Sequence, residues 1–423
     1  MFQIFKSFQE LLVRKTTEII WILGITIAIL SAPIGLMRLI NMLWAGHYHK
    51  VIIPLIIVLG LYNLLAKLLK RELKYDILSL SLFISIIFGT LIGFINFQTN
   101  ELRYFTSHFF GSLFMLTVYL SGLNFSNNAK WIEPFIAKSS FWLTLVFFII
   151  LLLFWFINIV FFGGNLYLGV GTGYLVLPFA YFLVYSKYNW AVVVFFLILI
   201  SGKRGPLMAA IVVFLIYVPF FMKKSPLKVI LFFSFLVLMF SYLTYITEGL
   251  TNFNMFPPFL SGSLQKLSTL NPNSDSYNED LAFSGRNQEL ILASAHFAKS
   301  VINFFTGLGF GWFYFFGADI QGSTTTDFNV HYIHIAPINF IFSFGLPLGL
   351  FILVSMLLIA IKAYVISLMR PQSKITILIL LFWIGDFVNS FSGYSYPIDP
   401  LFWLSLSYLK VNFEKYRFNL NRI

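Results

Sequence analysis

From position 251 to 286 the chain reads TNFNMFPPFLSGSLQKLSTLNPNSDSYNEDLAFSGR, and this stretch breaks a sequence that is otherwise strongly apolar. The polar character persists to His334. That is much further than a link between packed elements needs, and loops of such length are usually functional. Apolar runs flank it, at 18–39, 51–66, 77–96, 105–122, 140–162, 166–185, 188–203, 206–222 and 227–247 before, and at 335–361, 375–393 and 397–411 after. Runs of about 17 to 25 apolar residues match a bilayer crossed by a helix. The spacing predicts an all-α polytopic membrane protein with about twelve transmembrane helices and one large, partly helical external loop. The chain divides into nine helices over 1–246, the loop over 247–334, and three helices with a tail over 335–423, all in one integrated membrane domain.

Composition agrees with this division. Hydrophobic residues make up 59% of the chain and charged residues 10%, whereas a soluble domain carries roughly a quarter charged. The net charge of +12 raises the question of nucleic acid, and its distribution answers it. With both termini cytoplasmic, 20 of the 28 Lys and Arg fall on inner segments and 8 on outer ones. That is the asymmetry the positive-inside rule expects, so no nucleic-acid partner is needed. The absence of cysteine excludes disulfides, thiol catalysis and Cys-ligated metals. The first apolar run is too long, and lacks the small-residue site, for a removable signal peptide.

The cations that break the charge rule carry the functional reading. Ser-Gly-Lys-Arg-Gly-Pro at Ser201–Pro206 lies between two apolar runs and puts Lys203 and Arg204 at the outer margin. Pro206 suits the first position of the following helix, whose free N–H groups and dipole would face outward beside the cations. An anion site and an Arg snorkelling to headgroups both fit. Phe-Ser-Gly-Arg at Phe283–Arg286 repeats the device: Ser284 can cap a helix that places Arg286 in its first turn and Leu290, Ile291, Ala293 and Phe297 on one face. Arg286 there pairs either with a bound anion or with Glu289. His331 and His334 stand three apart at the mouth of the tenth run, as helix-capping groups, as zinc ligands with His296, or, for His334, as a general base. The glycine-rich Thr306–Trp312 matches neither nucleotide-binding pattern and reads as a tight turn. Asp386 lies inside the eleventh run, as a relay or a helix-pairing group, and Asp399 in a turn. Gly169, Gly171 and Gly173 suggest close helix packing or an opening for a polyprenyl chain.

Ser-Gly-Lys-Arg-Gly-Pro before an apolar helix, Ser-Gly-Arg at Ser284–Arg286, Gly-Leu-Gly-Phe-Gly at Gly307–Gly311, and His334 eleven residues before Gly-Leu-Pro-Leu-Gly (Gly345–Gly349) together resemble the O-antigen ligase and polymerase superfamily. Ile335 and Leu290 stand where that family has Asn and often an aromatic residue. The resemblance covers roughly residues 160–411. It implies a multi-pass protein of the bacterial inner membrane with a periplasmic loop, acting on a glycan linked to undecaprenyl diphosphate. Arg204 and Arg286, with Lys203 assisting, would take up charge on the diphosphate as it leaves. His334 would accept the proton of the attacking sugar hydroxyl, with His331 and Glu289 as substrate contacts.

The resemblance further implies an O-antigen or capsule polymerase, that is, a glycosyltransferase of lipopolysaccharide or exopolysaccharide biosynthesis. Its partners would be the lipid-linked donor and acceptor, membrane lipids and a chain-length regulator. The donor carries its own activation, so no cofactor and no metal are expected. A ligase transferring the glycan to lipid A–core shares the donor chemistry, and a flippase or transporter shares the helix count. A transporter is expected to repeat its architecture in two halves, and the single late loop makes this chain lopsided.

Overall fold

The computed structural model describes residues 2–31, 49–96, 100–124, 131–162, 172–201, 203–222, 234, 286–316, 328–330, 335–369, 373–391 and 399–420. Within them, every apolar run becomes helix: α1 (Phe2–Ser31), α2 (His49–Leu69), α3 (Ile77–Ile95), α4 (Leu102–Leu123), α5 (Ile132–Phe162), a 3₁₀ turn (Thr172–Leu175) into α6 (Val176–Val184), α7 (Tyr188–Ile200) and α8 (Arg204–Met222). The loop supplies α9 (Arg286–Phe297), α10 (Val301–Thr306) and strands β1 (Tyr314–Phe316) and β2 (Phe328–Val330); α11 (Ala336–Met369), α12 (Lys374–Asn389) and α13 (Pro400–Leu420) follow. The run at 227–247 lies outside the described residues.

Four of these stretches are long and apolar enough to cross a membrane: Val51–Leu69, Ile77–Ile95, Ile132–Phe154 and Ala336–Met369. Gly173–Val184, Tyr188–Ile200 and Arg204–Phe220 are apolar but shorter. The protein is thus a helical one of membrane-spanning character. The departure from an all-α chain is the β1–β2 pair, antiparallel with Tyr314 opposite Val330. It gives loop backbone the ladder partners that helices find internally.

Burial sorts the helices. Ile375–Trp383 of α12 and Leu401–Leu409 of α13 are buried without interruption, so these two form the centre. By contrast α3 exposes Leu80, Phe83, Ile84, Ile87, Leu91, Phe94 and Ile95. That is a stripe at helical spacing, as a helix facing lipid would show.

Side-chain contacts fix the direction of the central helices. Gly385 of α12 lies against Val176 of α6 and Val213 of α8, while the Tyr217 hydroxyl donates to the Leu183 carbonyl at 2.9 Å and Lys374 Nζ sits 5.1 Å from the Tyr185 ring. Hence α6 and α8 run parallel and α12 runs against both. The starts of α6 and α8 and the finish of α12 gather at one end of the bundle. There Ala336, opening α11, donates its N–H to the Ser390 carbonyl at 3.0 Å.

The opposite end is stitched around Asp76, the N-cap of α3, which forms a reciprocal capping box with Ser79. Its Oδ2 accepts from the Tyr119 hydroxyl at 2.8 Å and lies 3.7 Å from Lys410 Nζ of α13. A cap of this kind contributes about 0.5–2 kcal/mol, and here it also ties α3 to α4 and α13. Lys67, Lys74, Lys187 and Lys374 lie at this end too, as the helix order requires.

Candidate functional site

The long loop does not stand clear of the bundle. After α10 the chain runs through Gly307, Gly309 and Gly311 at φ of 72°, 73° and 91° and wedges between α3, α4 and α11. Leu308 and Gly309 donate to the carbonyls of Phe342 (2.7 Å) and Ser343 (3.1 Å), and Phe310 to that of Gly89 (2.8 Å). The Gly311 N–H donates to His108 Nδ1 at 3.0 Å, and Asn100 Nδ2 donates to the Phe310 carbonyl at 3.0 Å. Irregular backbone packed inside a bundle is tolerated when protein groups take up its polar atoms, and these bonds do so. What the sequence presents as a tight turn is a docked segment. The rings of Phe310 and Trp312 fill the gap, Phe310 edge-on to Phe344 at 5.8 Å and Trp312 Nε1 donating to Ser343 Oγ at 3.0 Å.

This docking bends α11. Gly345 takes φ 79°, ψ 162° and divides it into 336–344 and 346–369, and a side chain there would run into the Phe305 carbonyl, so only glycine fits the bend. The Gly-Leu-Pro-Leu-Gly stretch is therefore a helix break that receives the loop.

Around the docked segment a small apolar cluster forms from Ala293, Leu308, Trp312, Tyr314 and Phe342, with Leu290, Leu292, Phe297, Ile335 and Ile338 packed on it. It joins three pieces. One is α9, whose first residue is Arg286; the Arg286 side chain lies outside the described residues. The second is β1, whose Tyr314 pairs with Val330, the residue before His331. The third is Ile335, the residue after His334. His331 and His334 themselves lie outside the described residues, but the chain on each side of them is held by the cluster that holds α9. Ile291 is 66% exposed and so leaves the face expected for it, because the buried face follows Glu289 and Ala293, one helical turn apart. Glu289, at 2% exposure, is turned into the protein; its expected pairing with Arg286 involves a side chain outside the described residues.

Lys203 and Arg204 form the elbow between α7 and α8, both half-buried between buried Ser201 and buried Gly205 and Pro206. The Lys203 N–H faces Ser201 Oγ at 3.4 Å. The helix begins at Arg204 itself, two residues before the expected Pro206. Proline fits anywhere in a first turn, where no N–H bond is lost. Arg204 thus opens a helix at the bundle end where α11 begins and α12 finishes.

At that end the structure also joins two carboxyls that lie 13 positions apart in the sequence. Asp386 and Asp399 are both buried and within hydrogen-bonding reach of each other, with Tyr174 on Asp399 and Asn389 on Asp386. One oxygen of Asp399 accepts from the Leu401 N–H at 2.8 Å, whereas Oδ2 of each acid meets no donor among the described residues. Such a pair can hold a proton between its facing oxygens. Gly173 lies against the Asn389 amide, at 2.6 Å for an added Cβ, which closes the 3₁₀ turn over the pair.

For zinc, the described residues hold no group of three or more His, Asp or Glu able to hold a metal ion. His296 instead faces Lys299 Nζ at 3.2 Å. Partial burial, and then that ammonium, lower its pKa below the usual histidine value. No family model matches the chain, and neither a curated protein nor a solved structure does.

Proposed function

We propose that the protein is a membrane glycosyltransferase that polymerises oligosaccharide units carried on undecaprenyl diphosphate, in a bacterial inner membrane of about twelve crossings with both termini cytoplasmic. One observation carries this reading: the small cluster that seats α9, the helix opened by Arg286, also holds the residues flanking the His331–His334 segment. Arg204 begins its helix at the same bundle end.

The chemistry asked of these groups is simple. The bond between the anomeric carbon and the diphosphate oxygen breaks, and the electron pair leaves with the diphosphate. Guanidinium groups of Arg204 and Arg286, assisted by Lys203, take up that charge; Arg204 and Lys203 are half-buried, where ion pairing is stronger than in water. The acceptor hydroxyl forms the new glycosidic bond and passes its proton to His334, a step worth about 10²–10⁴ in rate. His331 contacts the sugar. Inward-facing Glu289 supports the first turn of the Arg286 helix.

The test is deletion and complementation in the host, with glycolipids resolved on a gel. Arg286→Ala and His334→Ala are expected to leave normal amounts of membrane-inserted protein and lipid A–core bearing a single repeat unit. Bare lipid A–core with accumulated lipid-linked polymer would identify a ligase instead, and an intact polymer ladder would refute the reading. Arg204→Lys keeps charge but loses the two-pronged geometry. Activity close to normal in that variant would remove Arg204 from the phosphates.

A further inference from the structure

Helix α10 is built inside out for a segment in water. Val301, Ile302, Phe304 and Phe305 are 78%, 68%, 43% and 58% exposed, and none of its residues is buried. Its polar groups are spent on local bonds. Ser300 Oγ accepts from the Ile302 N–H at 3.1 Å, Asn303 Nδ2 donates to the His296 carbonyl at 3.4 Å, and Thr306 Oγ1 donates to the Ile302 carbonyl at 3.0 Å. Six residues of helix have no stability of their own in water, so a surface this apolar calls for a cover.

Depth identifies the cover. Phe310, four residues after α10, bonds to Gly89, which lies six residues inside the end of α3, or about 9 Å at the rise of a helix. Along that same length α3 still presents Leu91, Phe94 and Ile95 outward. The docked segment thus sits below the level to which the apolar stripe of α3 extends. Phe305 meets Gly345 at the bend of α11, and α11 continues with exposed Leu350, Phe351 and Val354. α10 packs against α11, whose own exposed side is apolar, and Lys299, exposed just before α10, is placed where a long cation reaches lipid phosphates.

We propose that α10 lies among the acyl chains of the leaflet at this end of the bundle, so that the large loop is re-entrant and anchored in lipid by Val301, Ile302, Phe304 and Phe305. The anchor does not depend on which reaction the protein performs. It sets the loop's height against the membrane, and with it the height of the α9 cluster.

The chain has no cysteine, so single-cysteine variants of the full-length protein report cleanly in liposomes. Both Ile302→Cys and Lys299→Cys replace exposed side chains. Ile302→Cys is expected to react several-fold more slowly than Lys299→Cys with a charged maleimide. A fluorophore attached at position 302 is expected to be quenched by phosphatidylcholine brominated on its acyl chains. Equal reaction rates would overturn the proposal by putting α10 in water. Slow reaction without quenching would overturn it by showing that protein, from this chain or another copy, covers the face.

Discussion

Replacing Gly309 by alanine probes the docked segment most directly. At φ of 73° an alanine costs about 1–2 kcal/mol relative to the right-handed regions. Its Cβ would also collide with backbone of Gly93 and Ile92, which no rotamer change relieves. The segment escapes only by lifting off α3, and lifting gives up the N–H bonds of Leu308, Gly309 and Phe310. Each costs about 1–3 kcal/mol if left unmade in a dry site. Backbone strain alone therefore shifts the docked–lifted equilibrium toward the lifted form by a factor of about 5–30 relative to the parent, and the collision adds to it. Hydrogen exchange of peptides covering 306–312, read by mass spectrometry in detergent, is expected to speed up by at least that factor. The control is Gly111→Ala, on α4, where an added Cβ meets nothing within 4 Å and where a helix gains up to about 1 kcal/mol. If Gly309→Ala exchanges as slowly as Gly111→Ala over 306–312, the docking described here is wrong.

Two further outcomes follow from contacts elsewhere. Asp76→Ala removes the α3 cap, about 0.5–2 kcal/mol, and strands the buried Tyr119 hydroxyl, about 1–3 kcal/mol more. Thermal unfolding in detergent is expected to rank Asp76→Ala below Asp76→Asn, which keeps a capping oxygen, and both below the parent; equal melting of the two variants would contradict the capping role. Lys299→Gln takes away the ammonium beside His296, so the lowered pKa of His296 is expected to move up toward its usual value while the share due to burial remains. Because the folded form releases this proton more readily than the unfolded one, the His296 contribution rises with pH up to the unfolded value and falls below it. Histidine side-chain NMR across pH 5 to 8 reads the shift, and an unmoved titration would remove Lys299 as a cause.

The helices were legible because apolar length is a one-dimensional property, and the runs at 51–66, 77–96 and 375–393 pass straight into α2, α3 and α12. The docked segment was not. Its partners at Gly89, Phe342 and Ser343 are main-chain carbonyls, which every residue carries, so no side-chain pattern announces them. Only the alternation of Gly307, Gly309 and Gly311 hinted at special backbone, and a surface turn explains that equally well. The break at Gly345 was hidden for the same reason, since the backbone it faces is the Phe305 carbonyl on a distant part of the loop. Asp386 and Asp399 were each visible, yet their meeting depends on how α12 turns into α13. Of the candidate site, Arg204 and the start of α9 could be found from helix-start chemistry. The inward turn of Glu289 could not, because helical spacing leaves open which face will be covered.

The clasp on Gly89 has a consequence for biosynthesis. Asn100 and Phe310 are separated by 210 positions, and the third wall of the groove, Phe342 and Ser343, leaves the ribosome after the segment it will hold. The loop must therefore wait, its docking groove unfinished, until α11 has been made behind it. Closure of this groove then comes late in assembly, and a lesion in α11 would show itself first as a loop that never settles.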